Sequence, residues 1–273
     1  MVYNRTLIIS PPVRSATGPR LGPGVPSCVF ASFLPDHPSS TITMKRPRDF
    51  ASILPRGVSV LFAFSVVILT IAIFSDRVAS ADKPVFADDF EQGMNHWETL
   101  DPQTWPHASR DGSKVIEITD RKSAYAPPVR SPLHVALIKG VELGSFELEF
   151  RVKSTKDTGN HRDCCVFFNY LDDQHFYYVH LGAKPDPHSG QIMIVNEAPR
   201  LALTKNEKNT PWDDQWHHVK LVRDVQAGLI AIYFDDMETP HMQVVDKTFT
   251  TGRIGLGSFD DLNAFDDVVI VAK

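Results

Sequence analysis

Residues 215–273 read QWHHVKLVRDVQAGLIAIYFDDMETPHMQVVDKTFTTGRIGLGSFDDLNAFDDVVIVAK. Val219 and Leu221 alternate with polar neighbours, Ile230, Ile232 and Phe234 share one parity, Ile254 and Leu256 another, and Val268 and Ile270 close the chain. A period of two, broken by Gly and Asp, predicts four successive β-strands. Outward from this stretch the same pattern recurs. Val85–Phe90 and Val115–Thr119 read as strands, and Phe146, Leu148, Phe150 and Val152 alternate strictly with Glu147, Glu149, Arg151 and Lys153. Cys164–Tyr170 and Phe176–Leu181 form a hairpin across Asp172 and Asp173, and Gln191–Asn196 follows the Pro185, Pro187, Gly190 turn. Helical periodicity is nowhere sustained. About ten to twelve antiparallel strands predict an all-β chain folded as an antiparallel two-sheet β-sandwich or jelly roll.

The segment before residue 82 has a different character. Residues 1–43 carry seven prolines with no apolar periodicity, too little to offset chain entropy, and are expected to be disordered or an artefact of the assigned start. Met44 opens a basic region (Lys45, Arg46, Arg48, Arg56), the apolar run 57–74, and Val78-Ala79-Ser80-Ala81, the layout of a cleaved signal peptide over 44–81. The mature domain is then 82–273, exported to a periplasmic or extracellular place. The alternative is an uncleaved anchor at 57–74, the one case in which a membrane partner is expected.

Removing the eight basic and three acidic residues of 1–81 leaves 20 Lys and Arg against 30 Asp and Glu, a net charge of −10. That balance excludes nucleic acid as a partner held by bulk charge and suits neutral or cationic ligands. Cys28 leaves with the leader. Cys164 and Cys165 are adjacent in a strand, where neighbours point to opposite faces, so two separate buried thiols or a strained vicinal disulfide are the readings open. His217 and His218 point apart for the same reason and cannot chelate one ion together.

The mature region resembles the concanavalin A-like lectin/glucanase superfamily, and within it the laminin G-like and 3-keto-disaccharide hydrolase-type domains of exported bacterial proteins. The resemblance rests on FADDFEQGMNHW (86–97), SFELEFRVKS (145–154), TGN (158–160), WHHVKLVRD (216–224) and GRIGLGSFDD with FDDV (252–261, 265–268). It implies a concanavalin A-like jelly roll and a saccharide ligand. Glucanases of this superfamily carry Glu-x-Asp-x-x-Glu on one strand face, so that two carboxyls flank the glycosidic bond, and no such run occurs here. The hydrolase-type relatives read Tyr-Glu-Val-Gln-Ile where this chain has Tyr177, Tyr178, Val179, His180 and Leu181.

Those replacements outline a candidate ligand face. Tyr170 placed opposite His175 sets Phe167 opposite Tyr178 and Cys165 opposite His180, so that Cys165, Phe167, Asn169, Phe176, Tyr178 and His180 share one face. Aromatic rings beside an amide and an imidazole can stack on a pyranose and bond its hydroxyls; the same set equally suits a second covered apolar face. Further candidates are His161 and Arg162, beside Asp163 in the loop before the hairpin, and Trp105 at the rim. A structural calcium is the candidate cofactor. In the superfamily the first and last strands lie side by side, so Asp88, Asp89 and Glu91 would meet Asp266, whose parity with Val268 points it inward; backbone amides with an Arg or Lys would satisfy it instead. Two functions follow: a glycan-binding module without catalytic carboxylates, or a sugar-cleaving enzyme of the 3-keto-disaccharide hydrolase type.

Overall fold

The structure, a computed structural model, describes residues 83–273; the upstream segment, the leader with its apolar run and Cys28 lie outside the described residues. The strands are β1 (Phe86–Asp88), β2 (Trp97–Thr99), β3 (His107–Arg110), β4 (Ser113–Glu117), β5 (His134–Glu142), β6 (Phe146–Ser154), β7 (Cys165–Asp172) and β8 (His175–His180). They continue with β9 (Gln191–Asn196), β10 (Leu201–Ala202), β11 (His217–Asp224), β12 (Leu229–Phe234), β13 (Met242–Val245), β14 (Arg253–Ser258) and β15 (Asn263–Ala272). One sheet has the order β13-β12-β11-β6-β15-β4-β3 with β1 also on β15, and the other β10-β9-β8-β7-β14-β5-β2. All pairs are antiparallel, which makes the expected two-sheet β-sandwich.

Five strands, β2, β3, β5, β10 and β13, escape the sequence pattern, and β5 and β13 do so for opposite reasons. β5 is buried over its first five residues, so it shows a continuous apolar run instead of alternation. β13 is an edge strand that buries only Met242, which makes the C-terminal stretch five strands and not four. Among the described residues no helix is long and apolar enough to cross a membrane.

Between the sheets, Phe146, Leu148, Phe150 and Val152 of β6 pack with Val166 and Phe168 of β7, Val219 and Leu221 of β11, and Val268 and Ile270 of β15. A second apolar layer covers the outer side of the other sheet. Val135, Leu137, Cys165, Phe167, Tyr170, Phe176, Tyr178, Met193 and Val195 form it, under Leu100, Tyr125, Val129 and Phe259. Gly257 makes room for this layer, since a Cβ there would stand 1.9 Å from the His134 carbonyl oxygen and 2.9 Å from the Phe167 ring. The face expected to hold a ligand is thus largely closed, and Tyr178 is fully buried within it.

Two bulges change which way predicted residues point. The hairpin keeps the expected register, Cys165 opposite His180 and Phe167 opposite Tyr178, as far as Phe168; it then slips, so that Asp172 rather than Tyr170 faces His175. Asn169 sits at the slip with φ of 42°. This corrects its assignment to the ligand face, because the bulge turns it into the core, where its Oδ1 accepts from Nε of Arg223 at 2.9 Å and its Nδ2 donates to the Leu143 carbonyl at 3.1 Å. Tyr170 moves to the outer layer in exchange and stacks on Phe176. In β15 the register shifts between Asp266 and Val269, with Asp267 at φ of 50°. Asp266 therefore does not share the inward face of Val268. It lies opposite Arg151, whose guanidinium reaches it at 2.8 Å, and accepts the Asp267 N–H, the amide-and-arginine form of satisfaction.

Arg223 is wholly buried, and its guanidinium also donates to the carbonyls of Gly228, Asp246 and Phe249 at 3.0, 3.0 and 2.7 Å. Replacing Asn169 by Gly keeps the positive φ accessible but leaves a charged donor unpaired, at a cost of about 2 kcal/mol or more. Urea unfolding of Asn169→Gly should show a lower midpoint at unchanged slope; a midpoint equal to the parent's would disprove the role assigned to the amide.

Candidate functional site

The end of β8, the start of β7 and the end of β14 meet at one end of the second sheet, because antiparallel pairing sets Cys165 opposite both His180 and Gly257. Asp163, just before β7, joins them. Over this end opens a cleft of about 820 Å³, lined by His161, Asp163, His180, Lys184, His188, Arg200 and Phe259, with Arg130 and Asp260 at its side.

The floor is a tight set of donors and acceptors. Asp163 is buried; one of its carboxylate oxygens accepts from the Ser258 hydroxyl at 2.8 Å and the Phe259 N–H at 2.9 Å, and the other stands 3.6 Å from Nε2 of His180. Nδ1 of His180 lies 3.0 Å from the His188 carbonyl oxygen. A carbonyl only accepts, so Nδ1 carries the hydrogen, and Nε2 is left buried with no hydrogen-bond partner. The Tyr178 hydroxyl is likewise buried without a partner. Sγ of Cys165, a carboxylate oxygen of Asp163 and a ring nitrogen of His180 all lie within 4.8 Å of one another.

Phe259 forms the apolar wall. Its half-buried ring stacks on the His180 imidazole with centroids 5.8 Å apart and carries the Arg200 guanidinium 4.3 Å and the Arg130 guanidinium 5.4 Å from its centre. Nε and Nη1 of Arg200 are buried without hydrogen-bond partners.

Electrostatics separate the titrating groups. Burial raises the Asp163 carboxyl, but the His180 ring and the bonds from Phe259 and Ser258 outweigh it and hold the group below the ordinary carboxylate range. Burial, then the Asp163 charge, push the Cys165 thiol well up, so it stays protonated and is no nucleophile. The same two causes lift Asp261 to about 6. Asp163 and Asp261 thus titrate apart although side by side, yet Asp261 is fully buried and the two do not flank an open space as a glycosidase pair must.

Of the sequence candidates, His161 and His180 come together in the cleft and Tyr178 lies beneath it. Arg162 is turned away, paired with Asp157 and Asp214 in a separate cavity of about 470 Å³. Trp105 is packed in the inter-sheet core on Phe265 and offers no ring to a ligand. Cys164 faces that core and Cys165 the outer layer, two free buried thiols. His217 and His218 diverge as expected, to Asp235 and Glu149.

β1 does lie beside β15, with Asp88 opposite Val268. The acidic side chains near this junction have partners of their own: Asp88 accepts from Phe90 N–H and Trp97 Nε1, Asp89 from Glu91 N–H, and Glu91 from Lys114 N–H. Asp88 and Asp89 line a cavity of about 450 Å³ together with Asp267 rather than Asp266. Among the described residues the three-donor cluster is the one at Asp163, Cys165 and His180. Arg130, Lys184, His188, Arg200 and Phe259 were missed. Each sits at a loop or strand end whose neighbours are set by strand order, and no local pattern marks them.

No family model matches the chain, and no curated protein matches it either. Solved structures do. A carbohydrate-binding module, CBM66 of Bacillus subtilis, is 18% identical, with a TM-score of 0.47 over 65% of this chain and 96% of that one. The winged bean acidic lectin complexed with methyl-alpha-D-galactose is 14% identical, with a TM-score of 0.44 over 68% of this chain and 96% of the lectin. A beta-1,3-glucanase from Mycobacterium marinum is 13% identical, with a TM-score of 0.40 over 70% of this chain and 99% of that one.

Burial of Tyr178 reverses what its truncation does. Tyr178→Ala should lose about 3–5 kcal/mol of stability as a cavity opens in the outer layer, while Tyr178→Phe, which removes only an unpartnered hydroxyl, should stay within about 1 kcal/mol of the parent. Thermal melts of both decide, and a Tyr178→Ala protein melting with the parent would restore the open face.

Asp261 should make stability depend on pH. With its folded pKa at about 6 against an ordinary 3.8, the folded state holds a proton the unfolded chain has lost between these values, so stability falls as pH rises through that window and levels off above it. Asp261→Asn removes the effect. The variant should gain on the parent from pH 4 to 6, reaching about 3 kcal/mol, at roughly 1.4 kcal/mol per pH unit; urea midpoints that stay parallel across this range would refute the shift.

Proposed function

We propose that the cleft over Asp163, His180 and Phe259 binds a saccharide that carries a carboxylate, and that the protein is an exported glycan-binding module. The observation that supports this most directly is Arg200, which lines the cleft with Nε and Nη1 buried and unpaired. A guanidinium with unsatisfied N–H groups calls for an anionic acceptor, and leaving it without one is costly. Arg130 and Lys184 line the same mouth, together with Asp186 and Asp260. Phe259 supplies apolar surface beside these charges, the mixture a sugar ring with an acidic substituent requires. Binding without turnover fits a protonated Cys165.

The test is retention on immobilised oligosaccharides, with and without uronic acid units, followed by a reducing-end assay on whatever is retained. The protein should hold uronate-bearing sugars, and Arg200→Ala should bind them at least about tenfold more weakly, the equivalent of roughly 1.4 kcal/mol. Equal retention by Arg200→Ala overturns the carboxylate reading. Release of new reducing ends by the parent protein would establish the sugar-cleaving alternative.

A further inference from the structure

We infer that Asp163, Cys165 and His180 form a binding site for a borderline-soft divalent cation of the zinc type at the floor of the cleft. The argument starts from the imidazole. With its Nδ1 directed at the His188 carbonyl, Nε2 faces a carboxylate oxygen 3.6 Å away, inside the protein and without any hydrogen-bond partner. A nitrogen and a carboxylate oxygen turned to the same buried volume, with the Cys165 sulfur beside them, can share one bound cation.

The spacing suits a metal. Donors held about 2.0–2.3 Å from a tetrahedral zinc stand roughly 3.3–3.7 Å from one another, and the three donor atoms here lie within 4.8 Å, with the nitrogen and oxygen at 3.6 Å. The donor set of one sulfur, one nitrogen and one oxygen selects zinc over calcium, which takes oxygen ligands only.

The surroundings hold the donors in place. The His188 carbonyl fixes the tautomer of His180, and the Ser258 hydroxyl and Phe259 N–H occupy the second oxygen of Asp163, leaving the first for the ion. Asp163 and His180 both line the cleft, so the ion has a path of entry. On binding, the Cys165 thiol gives up its proton to solvent and sulfur ligates as thiolate. The Tyr178 hydroxyl, buried in the same layer without a partner, is a further polar atom next to this site, on the strand that carries His180. The inference does not depend on what the cleft binds.

The test uses the full chain stripped with a chelator and titrated with Co²⁺, which reports thiolate ligation by a sulfur-to-metal charge-transfer band in the near ultraviolet. One equivalent should bind with that band, and Zn²⁺ should bleach it stoichiometrically while Ca²⁺ does not. Cys165→Ser should abolish the band, and Cys164→Ser, one residue away on the opposite face, should keep it. Should Cys165→Ser fail to fold, Ser258→Ala serves: it frees the second oxygen of Asp163, keeps every ligand, and should weaken zinc binding by about 10-fold or more. A parent protein without the band, a band that survives Cys165→Ser, or unchanged affinity in Ser258→Ala overturns the proposal. Arg200→Ala should take up zinc like the parent, so the metal site and the saccharide reading can fail separately.

Discussion

A guanidinium with no water around it must be met at its N–H groups by protein, and in this sandwich the wholly buried Arg223 imposes that demand from the end of β11. Three carbonyls from the β11–β12 turn and the approach to β14 meet part of it, and Asn169 of the facing sheet meets the rest. To reach Arg223 the asparagine must break the alternation of β7, and the bulge that results splits the β7–β8 hairpin into two registers. The half that keeps its register carries Cys165 opposite His180. The other half sends Tyr170 to the outer layer, where its ring closes over Phe176. One buried charge thus ties the two sheets together and sets which side chains reach the outer face of the second.

That face is layered rather than open. Its middle is filled by aromatic rings under the segment that contributes Leu100, Tyr125 and Val129, so the accessible space is displaced to the sheet end where β7, β8 and β14 meet. There the polar groups are few and unevenly satisfied. Asp163 and His180 each have one side fully engaged and one side turned to the same small volume, and Arg200 lies over Phe259 with donors to spare. Unsatisfied buried polar atoms are costly in a folded protein, and those of His180 and Arg200 lie at this one cleft.

The amphipathic alternation of β6 and β11, the hairpin register from Cys165 to Phe168 and the pairing partners of Tyr178 and His180 were all legible in the residues, because a period of two is a local property written into consecutive side chains. So was the sandwich. What the residues could not show are the breaks in that period. Asn169 and Asp266 read as regular strand positions, and their bulges exist because Arg223 and Arg151, 54 and 115 residues away, call for partners there. Nor could they show that Tyr178 is covered, since the cover comes from distant loops, or that Phe259 and Arg200 stand beside His180. Parity assigns a face; only the order of strands, the bulges and the loops laid over them settle whether that face meets water, core or ligand.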